Sequence, residues 1–127
     1  TEIYTLSLHD ALPISIVNTA SIAGLVGLAT SAHYVATKHG VVGLTKSAAI
    51  EYAQDGIRVN CVNPGYIKTP MTRETMDERY DEIIAKVPVR RLGVPEEIAE
   101  AVVWMCSDKA SFMTGASHVI DGGYSAA

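Results

Sequence analysis

Residues 14–38 read ISIVNTASIAGLVGLATSAHYVATK, and three kinds of sequence follow one another within them. Ile14 to Ala20 is a β-branched run of strand length, the composition of a buried parallel strand. Gly24, Gly27 and the small residues up to Ser31 break that run and read as a loop. From about Ala32 to Gln54 the pattern is helical, and Asp55-Gly56 closes it with glycine at the C′ position. Tyr34, Lys38, Val41 and Thr45 share one face of this helix at the 3.6-residue period. Ala36, Gly40, Gly43 and Ser47 form a stripe of small residues on the opposite face. Glycine inside a helix costs about 1 kcal/mol against alanine, so two of them in one stripe point to close approach by another helix.

The same stretch carries the chemistry. Ser21 falls just past the end of the strand, and open α/β sheets place their ligands outside the carboxyl ends of strands. Tyr34 lies thirteen residues further on and Lys38 four beyond it, which puts phenol and ammonium one turn apart on one helix face. A lysine cation beside a phenol favours the phenolate and tunes the group toward general acid/base work. Ser21 would hold the oxygen on which the charge changes. The three residues read as proton transfer to or from an alcohol or carbonyl. His33 and His39 flank the pair as pocket wall or surface, and no metal site is expected.

Outward from this stretch, Ile57 to Val62 reads as a second buried strand, stopped by Asn63-Pro64-Gly65. Pro70 to Arg91 is charged on one side, with a helical stripe of Met76, Tyr80, Ile83, Ile84 and Val87 on the other. Pro95-Glu96-Glu97 opens a further helix, with proline in first position and acids in the first turn. Ile98, Ala101, Val102 and Met105 are its expected buried face. Ser117 to Ile120 is the last strand and Asp121-Gly122-Gly123 the turn after it. Leu25, Val26 and Leu28 are read either as substrate-pocket lining or as packing.

At 127 residues the chain is one domain at most. With 48% hydrophobic residues and a positive mean hydropathy it can bury a core, which excludes a disordered chain. A formal charge of −4 offers no basic footprint for nucleic acid, and Arg90-Arg91 is the one basic doublet. No apolar run approaches transmembrane length. Cys61 and Cys106 sit in apolar patterns without metal spacing and are expected to be buried, reduced thiols, consistent with a cytoplasmic location. Thr1 to Pro13 fits nothing downstream and resembles translated sequencing-adapter read-through. Residues 1–13 are therefore expected to be a leader foreign to the fold, and 14–127 the domain proper. A hydrolytic reading of Ser7, His9 and Asp10, or of Ser21 with a histidine, lacks the G-x-S-x-G elbow.

Several motifs agree in order and spacing with one family. They are Ile16-Val17-Asn18-Thr19-Ala20-Ser21, Tyr34-Val35-Ala36-Thr37-Lys38, Asn60-Cys61-Val62-Asn63-Pro64-Gly65-Tyr66-Ile67-Lys68-Thr69, Thr114-Gly115 and Val119-Ile120-Asp121-Gly122-Gly123-Tyr124. From about Ile14 to the end the chain closely resembles the C-terminal half of the short-chain dehydrogenase/reductases. The resemblance implies an α/β fold, the C-terminal half of a Rossmann-like doubly wound parallel sheet with about three strands and flanking helices. It implies an NAD(P)-dependent alcohol dehydrogenase or ketoreductase with NAD or NADP as cofactor and a small alcohol or ketone as substrate. Ser21, Tyr34 and Lys38 take the catalytic roles, with Tyr34 exchanging the proton and Lys38 also touching the nicotinamide ribose. Pro64 and Gly65 lie beside the nicotinamide, Ile67 offers backbone groups to its carboxamide, and Thr69 offers its hydroxyl. The segment 70–91 covers the substrate. The long helix packs against its counterpart in a second subunit, so a homo-oligomer, dimer or tetramer, is expected of the complete protein.

The family's glycine-rich pyrophosphate turn, its Asn-Asn-Ala-Gly segment and its helix asparagine do not occur in this sequence. The competing expectation is therefore a catalytically inactive or oligomerising fragment, since half a sheet exposes an edge and a face that favour association.

Overall fold

Three β-branched segments pair side by side in the computed structural model, which describes residues 13–70 and 72–127. The reading of residues 1–12 lies outside the described residues. Strand β1 (Ile14–Thr19), helix α1 (Ala32–Tyr52), strand β2 (Ile57–Pro64), helices α2 (Arg73–Glu78), α3 (Tyr80–Ile84) and α4 (Pro95–Met105), and strand β3 (Ser117–Ile120) follow in chain order. The sheet is parallel with strand order β1-β2-β3, registered Ile14 to Ile57 through Thr19 to Val62, and Cys61 to Ser117 through Pro64 to Ile120. Because every strand runs the same way, Ala20-Ser21, Pro64-Gly65 and Asp121-Gly122 emerge at one edge. Two further hydrogen bonds carry the ladder past the strand ends, Ala20 N–H to the Val62 carbonyl at 2.8 Å and Gly65 N–H to the Ile120 carbonyl at 2.9 Å. The loops that bear the candidate residues thus leave the sheet from fixed backbone.

The central strand is buried on both faces from Val59 to Asn63. A buried polar group must find a partner, and Asn60 does so: Nδ2 donates to the Met113 carbonyl at 3.0 Å and Oδ1 accepts from Ala116 N–H at 2.9 Å. Arg58 gathers the carbonyls of Met113, Met105 and Ser107 at 2.9–3.2 Å, tying β2 to the end of α4. Strand β1 departs from expectation. Ile14 and Ile16 are each 43% exposed, because β1 is the outer strand of this sheet and no neighbour covers that flank among the described residues.

Helix α1 has the predicted span, continues as a single 3-10 turn over Ala53–Asp55, and ends at Gly56 with φ 76°. That left-handed backbone is one glycine adopts without strain. Its inner face buries Val42, Thr45 and Ala49. Thr45 accepts from Asn18 Nδ2 at 3.0 Å and donates to the Val41 carbonyl at 2.8 Å, fastening the helix to β1. The small-residue stripe is exposed, and a Cβ built on Gly40 or Gly43 meets nothing within 4 Å; no helix of this chain closes on it among the described residues.

Three further expectations are corrected. The 70–91 stripe is split at Arg79 into two short helices, so Ile83 and Val87 are buried while Tyr80 is exposed. In α4 only Met105 is fully buried and Ile98, Ala101 and Val102 are half-buried, since a three-stranded sheet is too narrow to cover the whole helix face. Cys61 is buried as expected, but Cys106, at the last turn's end of α4, is exposed; both are free thiols. No helix among the described residues is long and apolar enough to cross a membrane.

Candidate active site

Ser21 is the first residue past β1, extended (φ −173°, ψ 166°), and it caps the 3-10 turn Ile22–Gly24. Its Oγ accepts from Ala23 N–H at 3.1 Å. A hydroxyl has one donor besides its acceptor lone pairs, so this bond leaves the Ser21 proton free to donate elsewhere. The Ser21 carbonyl accepts twice, from Gly24 N–H at 2.9 Å and from Asn63 Nδ2 at 2.8 Å. Gly24 lets the turn lie against α1. A Cβ there would stand 2.8 Å from Val42 Cγ2 and 2.9 Å from the Lys38 carbonyl oxygen.

Tyr34 and Lys38 rise from the first two turns of α1 toward the same strand ends. Lys38 Nζ lies 5.6 Å from the Tyr34 ring centroid, within the range of an attractive cation–π contact. Nζ also donates to the Thr19 carbonyl at 3.3 Å, which anchors the ammonium at the end of β1. Tyr34 itself is 43% exposed. His33 and His39 are both exposed.

The facing wall is the segment after β2. Gly65 passes so close to the turn after β3 that a Cβ on it would meet Asp121 Cα at 2.8 Å. Ile67 then bridges to Gly93 in parallel: Gly93 N–H donates to the Tyr66 carbonyl and Lys68 N–H to the Gly93 carbonyl, each at 2.9 Å. This pattern turns the N–H and carbonyl of Ile67 away from Gly93, and neither makes a backbone hydrogen bond among the described residues. Buried or half-buried backbone groups of this kind ordinarily find a partner. Thr69 Oγ1 sits 2.8 Å from Thr72 Oγ1 and accepts from Thr72 N–H at 3.3 Å.

All seven residues singled out from the sequence line one open cleft of about 540 Å³: Ser21, Tyr34 and Lys38 on one side, and Pro64, Gly65, Ile67 and Thr69 on the other. Lys38 is the one charged side chain in that lining among the described residues. A second hollow of about 250 Å³ shares Ser21, Tyr34, Gly65, Ile67 and Thr69 with the cleft and continues to Ile22, Leu28, Tyr66, Thr72 and Met76. Leu28 is thus a lining residue, whereas Leu25 is 39% exposed.

Several supporting residues escaped the sequence reading. Tyr66 stands edge-on to Tyr124, ring centroids 5.6 Å apart, and burial, with Tyr124 next to it, raises its hydroxyl pKa above the ordinary tyrosine value. Burial pushes the Asp121 carboxyl up, but hydrogen bonds from the Ser125 hydroxyl and N–H and from Gly123 N–H outweigh it, and the net shift is downward. Glu97 is lowered to about 2, first by the Arg91 guanidinium and then by Val94 N–H. Its carboxylate takes both Arg91 nitrogens at 2.8 and 3.0 Å and Val94 N–H at 3.0 Å. These bonds fasten the start of α4 next to Gly93, the residue that bridges Ile67. The acid three residues after a helix cap was a legible signal for this. For Tyr66 and Asp121 the sequence offered only a turn.

The family model described as enoyl-(acyl carrier protein) reductase matches residues 8–125. A cyclohexanol dehydrogenase of Acinetobacter sp. (strain SE19) is 56% identical over 110 residues, which are 87% of this chain and 43% of that protein. A chain from Agrobacterium tumefaciens solved with bound NADP superposes with a TM-score of 0.87 at 38% identity, covering 94% of this chain and 50% of that one. A 4-hydroxyisoleucine dehydrogenase complexed with NADH gives a TM-score of 0.84 at 39% identity, over 89% of this chain and 47% of that one. The chain spans half or less of the length of the proteins it matches.

Proposed function

The chain belongs to the short-chain dehydrogenase/reductase family, and we propose that it carries the proton-transfer machinery of an NAD(P)-dependent alcohol dehydrogenase or ketoreductase. The observation that carries this reading is the convergence of Ser21, Tyr34 and Lys38 on one cleft whose opposite wall is Pro64, Gly65, Ile67 and Thr69.

The substrate oxygen accepts the free proton of Ser21 and lies against the Tyr34 hydroxyl. On oxidation Tyr34, as phenolate, takes the proton of the alcohol; on reduction it returns that proton to the oxygen of the former ketone. Lys38 holds its cation 5.6 Å from the Tyr34 ring centroid, and its bond to the Thr19 carbonyl keeps it oriented with further N–H groups to spare. A general acid/base of this kind typically contributes 10²–10⁴-fold to a rate.

The residues present fit a nicotinamide cofactor. Among the described residues the Ile67 N–H and carbonyl make no backbone hydrogen bond, and together they are the complement of a carboxamide. Thr69 keeps its own proton for donation when Thr72 donates to it. Pro64 and Gly65 would supply an apolar wall for the nicotinamide, and Tyr34 and Lys38 would hold the ribose. The bound cofactor would supply or take up the hydride. The relatives carry NADP and NADH in the structures compared, and either suits these residues.

Ile22, Leu28, Tyr66 and Met76 line the adjoining hollow with apolar surface, which favours an uncharged secondary alcohol or its ketone, in line with the cyclohexanol dehydrogenase. Two free thiols fit a reducing compartment, so the cytoplasm is the proposed location. The test is a hybrid in which residues 14–127 follow the remaining part of the Acinetobacter enzyme. Oxidation of cyclohexanol, followed by formation of reduced nicotinamide, is expected. A folded hybrid that binds the cofactor and leaves cyclohexanol untouched overturns the proposal.

A second reading has its own observation. The outer face of α1 presents Gly40 and Gly43 with open space above them and leaves Leu44 65% and Ile50 83% exposed. Such a face suits close packing against a second copy, so self-association accompanies the enzymatic role or stands without it.

A further inference from the structure

We propose that Asn63 is a positioning residue that holds Ser21 in its proton-donating geometry; this rests on the catalytic reading of Ser21 above. Asn63 is the penultimate residue of β2 and is fully buried. It lines neither the cleft nor the adjoining hollow, so it touches no reacting atom. Its side chain reaches under the end of β1, where Nδ2 donates to the Ser21 carbonyl at 2.8 Å.

The orientation of the amide is fixed by chemistry. A backbone carbonyl only accepts, so the nitrogen must face Ser21. The oxygen then faces the Cys61 thiol, which donates to it at 3.4 Å. Of the hydrogen bonds that hold Ser21, those from Ala23 and Gly24 come from its own turn and move with it. The bond from Asn63 comes from a residue 42 positions away, on the strand that continues into Pro64-Gly65. Asn63 therefore ties Ser21 itself to the opposite wall of the cleft, one residue beyond the Ala20–Val62 bond that ends the ladder. The amide is also packed close, since a Cβ on Gly24 would come within 3.3 Å of Nδ2.

Two measurements test this. The first uses the chain itself: hydrogen exchange at the Ala23 amide, which reports the Ser21 Oγ bond, and at the Gly24 amide. Asn63→Ala is expected to speed both by roughly tenfold or more while the Cys106 amide, bonded to the Val102 carbonyl at the end of α4, keeps its rate, as local opening requires. The second is a double-mutant cycle in the hybrid enzyme. Asn63→Ala is expected to lower kcat about 10- to 100-fold, the scale of a small misplacement at a reacting centre, with KM for the cofactor unchanged. In a Ser21→Ala background the same change should cost no further activity, because the residue it positions has gone. Where Asn63→Ala does not fold, Asn63→Ser carries the same cycle.

An equal loss of kcat with and without Ser21, or wild-type exchange at Ala23, would overturn the proposal and leave the catalytic reading standing. A hybrid in which Ser21→Ala and Tyr34→Phe both turn over normally would remove the catalytic reading, and this proposal with it.

Discussion

Replacing Gly24 by alanine tests whether the Ser21 turn is held against α1 as closely as the structure has it. The added methyl would stand 2.8 Å from Val42 Cγ2 and 2.9 Å from the Lys38 carbonyl oxygen. Val42 is 6% exposed and belongs to the core it forms with Ala20 and Cys61, so its side chain has little room to turn. The carbonyl oxygen is helix backbone and cannot move without bending α1. The turn must therefore lift, at the cost of an overpacked site, about 1–3 kcal/mol. With a urea m-value of about 1–3 kcal/mol/M for a small protein, the unfolding midpoint should fall by on the order of 1 M. The paired control is Gly27→Ala, where the new methyl meets nothing within 4 Å; it should stay within about 0.5 kcal/mol, the usual range of surface changes. Urea titrations of both variants, followed by far-UV circular dichroism, read the difference. Equal midpoints for Gly24→Ala and the parent would refute the close approach, and with it the placement of Ser21 beside the lysine-bearing turn.

Gly40→Ala and Gly43→Ala have open space above them, so each should stabilise the monomer by about 1 kcal/mol while weakening self-association along α1; sedimentation equilibrium beside thermal melts separates the two effects. Met105 is fully buried, and Met105→Ala should cost about 2–5 kcal/mol by chemical denaturation. Glu97, held at about 2 instead of its ordinary 4.5, contributes stability that is fully present above the ordinary carboxylate value and lost as pH falls through 2. Amide protection factors at the start of α4, corrected for the intrinsic pH dependence of exchange, should accordingly fall on acidification between those values, and Glu97→Gln should abolish that dependence.

What could be read in advance follows from how local each signal is. The helix over α1 and its glycine stop depend on periodicity and one backbone conformation, and both lie within the stretch that encodes them. The spacing from Tyr34 to Lys38 needs only that the helix exist. Ile57 to Pro64 outran its predicted end by two residues, because Asn63 and Pro64 remain in register with β3 before the glycine turns the chain. The burial of β1 depends on what lies beside it, which no residue in Ile14–Thr19 encodes. Cys106 has apolar neighbours in sequence, yet it falls just past the last buried turn of α4. The bond from Asn63 to Ser21 spans 42 residues; before proline and glycine an asparagine reads as turn chemistry, and its partner could be found only in three dimensions. The outward turn of the Ile67 N–H and carbonyl likewise follows from a bridge to Gly93, a pairing that no pattern around Ile67 announces.

The central claim is that Tyr34 moves the proton. The measurement is single-turnover oxidation of cyclohexanol by the hybrid enzyme carrying Tyr34→Phe, beside a fluorescence titration of its cofactor affinity. The change removes one hydroxyl on the exposed first turn of α1 and leaves Ile67, Thr69 and Lys38 in place. Loss of at least about 10²-fold in the chemical step, the low end of what a general acid/base supplies, with cofactor affinity nearly unchanged, is the predicted result. Turnover at the parental rate would contradict the account.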